Sequence, residues 1–187
     1  MLFRSVAFAK HVRKLDQKHL GVHVFSGLEC DIRRDGKMDL EDEALAELDW
    51  VVGSVHSYMN IESSEMTDRL MRALECPHLR VLGHPTGRIL LHRDGFPFDF
   101  DLVAGEAAKR GVYLEINASP ERLDLSAAMI RAAKAKGCKF VISTDAHHPK
   151  HLANMSYGVR MARRGCLEPH DIVNTMSAAA FAKSLTK

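Results

Sequence analysis

The strongest constraint on the fold of this chain is a pattern that recurs along it: a short apolar, β-prone run that ends by delivering an acid or a histidine. The fullest case is Lys139-Phe140-Val141-Ile142-Ser143-Thr144-Asp145-Ala146-His147. Three earlier stretches share the form: Val24-Phe25-Ser26-Gly27-Leu28-Glu29, Val51-Val52-Gly53-Ser54-Val55-His56 and Val81-Leu82-Gly83-His84-Pro85. Unbroken apolar runs of this length read as strands buried on both faces. Side chains at i and i+2 of a strand point the same way, so Asp145 and His147 are expected at one spot. Polar residues at successive strand ends are the layout of a site on the C-terminal face of an α/β barrel.

Between these runs lie helical patterns. Residues 2–19 read as a helix with Val6, Phe8, Val12 and Leu15 as its apolar face, stopped by Gly21. An acidic stretch from Asp39 to Glu47 suits the positive end of a short helix. A helix capped by Ser63 or Ser64 runs to about Leu74, with Met66, Leu70, Met71 and Leu74 inward. Further helices are expected over 100–110, 126–136 and 150–163, with two short pieces at the end. A fifth strand, 112–117, carries Asn117. Strand and helix alternating about five times predict parallel strands with right-handed crossovers, in one α/β domain. Five strands are too few to close an eight-stranded barrel. A doubly wound open sheet is the alternative, but it does not account for metal-type residues on so many strands.

Composition narrows the function. The 187 residues carry 27% charged and 46% hydrophobic side chains and a net charge of +2, which argues neither for nor against nucleic acid. Eleven histidines raise the prior for metal chemistry. Cys30, Cys76, Cys138 and Cys166 form no Cys-x-x-Cys pair and read as reduced thiols. No apolar run approaches the ~20 residues of a membrane span, and a cytoplasmic protein is expected. The basic N-terminus resembles a transit peptide but lacks a cleavage signal, and reads as a surface helix.

Glu29, His56, His84, Asp145 and His147 form the candidate metal constellation, suited to Zn, Mn or Fe. Asn117, at another strand end, either orients a ligand or substrate oxygen or closes a turn. Arg88 and Arg93 follow His84, and an arginine fork grips phosphate. His148 and His151 read as exposed. The absence of a Gly-x-Ser-x-Gly elbow disfavours a serine hydrolase.

Gly27-Leu28-Glu29, Ser54-Val55-His56-Ser57, Gly83-His84-Pro85-Thr86-Gly87-Arg88, Leu114-Glu115-Ile116-Asn117 and Ser143-Thr144-Asp145-Ala146-His147 together resemble the polymerase and histidinol phosphatase (PHP) metal-dependent phosphoesterases. More narrowly they resemble the C-terminal PHP domain of bacterial family X DNA polymerases, as does Met155-Ser156-Tyr157-Gly158-Val159. The resemblance implies a distorted seven-stranded (β/α) barrel with up to three Mn or Zn ions. It implies that Glu29, His56, His84, Asp145 and His147 are metal ligands, with Glu29 bridging two ions. Arg88 is then a catalytic, phosphate-holding residue, and Asn117 binds substrate. The implied activity is 3′-5′ exonuclease and DNA-end processing, with DNA as substrate and a polymerase domain as partner.

The family's opening Asp-x-His-x-His and Thr-Asp-His strands have no counterpart here. Residues 1–187 are therefore expected to form the C-terminal part of a single PHP domain, five strands of a partial barrel, holding about one ion and impaired in catalysis. Two alternatives are a phosphomonoesterase of the histidinol-phosphatase type and an inactive remnant that binds metal weakly or serves as an interaction domain.

Overall fold

The computed structural model describes residues 2–16 and 21–185, with side chains from residue 7 onward. Five strands form one sheet: β1 (Gly27–Asp31), β2 (Trp50–Ser54), β3 (Leu79–Leu82), β4 (Tyr113–Asn117) and β5 (Phe140–Ser143). They lie in the order in which they occur, and every neighbouring pair is parallel. Helices α1 (Leu2–Asp16), α2 (Asp42–Leu45), α3 (Ser63–Leu74), α4 (Phe100–Arg110), α5 (Ala127–Ala135), α6 (Met155–Arg164) and α7 (Ala178–Leu185) connect or flank them. This is the expected α/β architecture of parallel strands. The sheet is open, as in a partial barrel.

The period-2 alternation of each strand separates two chemistries. One face carries Cys30, Val51, Leu114, Ile116, Phe140 and Ile142, all buried in the core. Against it, α3 buries Met66, Leu70, Ala73 and Leu74, a helical spacing that its sequence shows directly. The opposite face changes character along its length. At the N-terminal end of the strands Trp50 stacks on Tyr113, ring centroids 5.7 Å apart. Phe181 of α7 packs on Trp50 and edge-on to Phe25. Toward the C-terminal end the same face carries Glu29, Asp31, Glu115, Asn117 and Ser143. The apolar end is thus plugged and the polar end is free for chemistry.

Turn chemistry matches local need. Asp99 and Ser126 cap α4 and α5 by accepting from Leu102 N and Met129 N, at 2.9 and 3.3 Å. Gly111 ends α4 in the left-handed conformation, φ 69°. Both sheet edges are guarded. Beside β5, Ile172 makes a parallel bridge to Phe140. There the Asn174 amide stands in for a strand, accepting from Ile142 N at 2.8 Å and donating to Ile142 O at 2.9 Å. Beside β1, Asp39 exchanges hydrogen bonds with the backbone of Asp31 at 3.0 Å each. Such caps block edge-to-edge pairing.

Four expectations need correction. The strand expected to end at Glu29 begins at Gly27 and runs to Asp31, so Glu29 sits inside it and not at its end. The cap of α3 is Glu62, with Ser63 as the first helical residue. Ala9 joins Val12 on the buried face of α1 while Phe8 is exposed; Val6 and residues 17–19 lie outside the described side chains. The helix expected over 150–163 divides into a 3-10 helix (Pro149–Asn154) and α6, because Pro149 opens the first turn.

Gly158 lets α6 approach the sheet. A Cβ there would meet the Ile142 side chain and lie 2.9 Å from Ala118 Cβ. Gly158→Ala is expected to cost about 1–3 kcal/mol, as overpacked cores do, and chemical denaturation measures it. A loss under about 0.5 kcal/mol would mean that α6 is not held this close.

Candidate metal site

The loops after β2 and β3 bring two histidines over the strand-borne Glu29. His84 Nε2 lies 2.9 Å and His56 Nε2 3.3 Å from Glu29 Oε1, and the two ring nitrogens are 3.3 Å apart. All three ligating atoms fall within 4.8 Å of one another. His84 is buried, held at φ 24° just past β3, whereas Glu29 and His56 are about 36% and 43% exposed. Two imidazole nitrogens and a carboxylate oxygen aimed at one point are the donor set of a divalent cation such as zinc. Both ring nitrogens face the same Glu29 Oε1 and lie 3.3 Å from each other, a crowding of donors that a shared cation relieves by taking both lone pairs. The residues present therefore fit a metal.

The electrostatics agree. Hydrogen bonds from His56 and then His84 hold the Glu29 carboxyl well below the usual carboxylate range, against burial. The same Glu29 contact pushes His56 up from its ordinary value, with burial opposing. In the metal-free protein the raised His56 contributes stability below its unfolded pKa, ~6.5, and that contribution is lost as pH rises through the raised folded value. A cation needs His56 deprotonated, so its affinity moves the other way. Mn affinity should fall roughly tenfold per pH unit below the raised pKa and level off above it, as calorimetric titrations from about pH 6 to about pH 9 measure. A flat profile would remove His56 from the site.

Asp31 is a site residue that sequence reading missed. Its Oδ1 accepts from His56 N at 3.1 Å and lies 3.5 Å from His56 Nδ1, and its Oδ2 accepts from Ser57 Oγ at 3.4 Å. A carboxylate on Nδ1 fixes the ring so that the Nε2 lone pair faces the ligand. The signal available was the Glu29-x-Asp31 spacing, which puts both acids on one face of a strand. Asp31→Asn is expected to weaken metal affinity about 10- to 100-fold with no change in circular dichroism; an unchanged affinity would make Asp31 a bystander.

Below His84 lies Glu115, almost fully buried. It accepts from His84 N and from Ser143 Oγ, and from Asn117 Nδ2 at 3.3 Å. Burial pushes its pKa up against those hydrogen bonds. Asn117 also donates to Asp145 Oδ2 at 3.2 Å and accepts from Ser119 N at 3.0 Å. Its amide thus faces protein groups and joins the floor of the site to Asp145.

Asp145 and His147 lie together, but not for the reason the strand period gave. β5 stops at Ser143, and Asp145 has a left-handed φ of 49°. His147 Nδ1 is 3.6 Å from Asp145 Oδ1, and the His147 ring is largely exposed. The group of three close ligand atoms among the described residues contains neither. Arg88 donates its Nε to Arg122 O at 3.0 Å and a terminal nitrogen to Leu123 O. Its fork is therefore turned to backbone carbonyls of the next loop. Arg93 likewise holds Gly87 O.

No protein-family model matches the chain. Individual proteins do. DNA polymerase/3′-5′ exonuclease PolX of Bacillus subtilis is 37% identical over 169 residues, covering 90% of this chain and 30% of the polymerase. A probable phosphatase of Syntrophotalea carbinolica is 27% identical over 169 residues, 82% of this chain and 65% of that protein. A probable phosphatase of Clostridium acetobutylicum is 30% identical over 147 residues, 73% of this chain and 57% of that protein. The chain thus spans less than two thirds of the length of each. Among the described residues no helix is long and apolar enough to cross a membrane.

Proposed function

This chain is similar to the PHP-family phosphoesterases, with the family X polymerase version among its relatives, and from that premise we propose that it hydrolyses phosphate esters around a divalent metal held by Glu29, His56 and His84. The observation that carries the reading is the convergence of those three ligand atoms within 4.8 Å at the polar end of a parallel sheet. A cation bound there supplies Lewis-acid polarisation of a phosphoryl oxygen and a lowered pKa for water.

The protein's own groups do the rest. Glu29, held ionised, gives an anionic ligand at working pH. Asp31 holds the His56 backbone and lies 3.5 Å from its Nδ1, and Glu115 anchors the His84 backbone, so both histidines are positioned before the ligand arrives. Asp145, hydrogen-bonded to Asn117, and His147 beside it are the residues that the same family resemblance assigns to additional ions. Manganese or zinc is proposed, about one ion per chain.

Single-stranded DNA or a DNA 3′ end is the proposed substrate and a polymerase domain the proposed partner, supported by the likeness to PolX. The likeness to two probable phosphatases favours a second reading, a small phosphomonoester. A 5′-labelled single-stranded oligonucleotide and p-nitrophenyl phosphate, each offered with Mn, separate them. The expected result is slow shortening of the oligonucleotide from its 3′ end, abolished by chelator and by His56→Ala. Hydrolysis of the phosphomonoester alone supports the second reading. Cleavage that survives either treatment, or none of either substrate, overturns the enzymatic assignment.

A further inference from the structure

We propose that the outer face of α6, with the 3-10 helix that leads into it, is the surface on which a single-stranded nucleic acid lies as it enters the site. This rests on the nucleic-acid reading of the substrate and names the part of the molecule that would hold the strand.

The observation that carries it is an imbalance of charge along the chain. Residues 125–167 hold eight lysines and arginines against one acid, Asp145, a net charge of +7; the whole chain carries +2, so the remaining residues together carry −5. Half of those cations are already engaged within the fold. Lys134 and Lys139 pair with Asp171 at 3.0 and 3.4 Å, and Lys136 pairs with Asp101 at 3.2 Å. Arg131 donates to Arg164 O at 2.8 Å. The other half, Lys150, Arg160, Arg163 and Arg164, are exposed and meet no carboxylate among the described residues.

The fold aims these cations outward. Gly158 and Gly165 are the points of close approach, against Ile142 of β5 and Ile130 of α5, and Ala162 is buried between them. A flank of α6 away from those contacts carries Tyr157, Arg160 and Arg164, at i, i+3 and i+7. Tyr157 is 41% exposed, and the Arg160 guanidinium lies over its ring, 5.9 Å from the centroid. On the turn before, Leu152 is an uncovered apolar side chain. A merely solvated helix face interleaves acids with its bases, and α6 contains no acid.

A row of unpaired cations beside an exposed aromatic ring suits a single strand, whose phosphates meet the cations and whose unpaired base stacks on the ring. The surface is continuous with the site. The 3-10 helix begins two residues after His147, and a cavity of about 420 Å³ is lined by Asp145 and His147 together with His151 and Asn154 of that helix. The acid-rich segment from Asp39 to Asp49 joins β1 to β2 at the opposite edge of the sheet. The charge distribution therefore steers a polyanion to the α6 side.

The test follows fluorescence anisotropy of a 5′-labelled oligothymidylate across a range of salt, in chelator so that nothing is cleaved. Wild type is expected to show a slope of log affinity against log salt of about −3, roughly −0.7 for each of the four cations. The triple variant Lys150→Gln, Arg160→Gln, Arg164→Gln should bring the slope to about −1 and weaken binding at least about 10-fold at about 0.1 M salt. Tyr157→Leu should weaken binding about 5- to 100-fold, the worth of one stacked base, with the slope unchanged. The control Lys10→Gln, Lys14→Gln, Lys37→Gln removes the same charge from α1 and the loop after β1, and should change affinity less than about twofold. All the altered side chains are exposed, and circular dichroism checks the fold of each variant. An equal loss in the control, or no binding by wild type, overturns the inference. So does duplex DNA bound as tightly as the single strand with Tyr157→Leu indifferent. Binding to phosphatidylserine-rich vesicles that the triple variant loses, with no binding of the oligonucleotide, would give the face to an anionic lipid surface instead. Strand binding that depends on this face in a protein that hydrolyses no ester would sustain the inference while defeating the functional reading. Shortening of the oligonucleotide with unchanged KM in the triple variant would do the reverse.

Discussion

His56→Ala is expected to take the divalent ion content of the dialysed protein from about one per chain to near zero, and phosphoester hydrolysis with it. Three protein ligands and an open position suffice for a catalytic-type ion, and two rarely do. Removing His56 leaves Glu29 and His84, 2.9 Å apart, with no third ligand atom close to both among the described residues. The loss should exceed the roughly 10- to 100-fold produced by removing an outer hydrogen-bond partner. His56 is the right position to alter because it is 43% exposed and outside the core. His84 is buried, so His84→Ala would leave a cavity and mix a folding effect with a metal effect. Elemental analysis after dialysis reads the outcome. One ion retained in His56→Ala would place the metal elsewhere, and two or three ions in wild type would bring Asp145 and His147 into play.

Arg69→Met is expected to destabilise the protein by about 3–5 kcal/mol, because three backbone carbonyls lose their charged donor at about 1–3 kcal/mol each. Arg69 projects from α3 and is completely buried. Its Nε donates to Arg33 O and Nη1 to Ser57 O, both at 2.9 Å, and Nη2 donates to Ile32 O. One guanidinium thus ties the loop after β1 to the loop after β2, the loop that presents His56. Methionine fills similar volume but leaves those carbonyls without their charged donor. Because Ser57 follows His56 directly, metal affinity should fall along with stability. Urea denaturation gives the first quantity and Mn titration the second. A loss under about 1 kcal/mol would mean that water satisfies the carbonyls and that Arg69 is not the tie.

How far the sequence could be read depended on whether a feature was local. α3 shows its bounds in the spacing of Met66, Leu70 and Leu74, and the structure gives it Ser63–Leu74. β4 is bracketed by the left-handed Gly111 and by Asn117, and the parallel order follows from the alternation of strand and helix. Glu29, His56 and His84 could be picked out because apolar runs lead to each. Their meeting is a matter of strand order, which alternation implies. What escaped was long-range. Arg69 sits beside apolar positions of a helix, where an arginine ordinarily reaches solvent; only the carbonyls of residues 32, 33 and 57 make its burial possible. Asp31 reads as a surface acid until the loop carrying His56 comes down on it. Arg88 lies one loop from the site in sequence and its planar fork suits phosphate, yet in the fold that fork meets carbonyls of residues 122 and 123 that no local pattern announces.

The most direct measurement is anomalous diffraction from a crystal of the wild-type protein soaked in manganese or zinc. The expected result is one strong peak about 2.0–2.2 Å from a Glu29 carboxylate oxygen, His56 Nε2 and His84 Nε2. A map with its peak beside Asp145 and His147 and none at Glu29, or with no peak at all, would contradict the metal site on which the proposed hydrolysis depends.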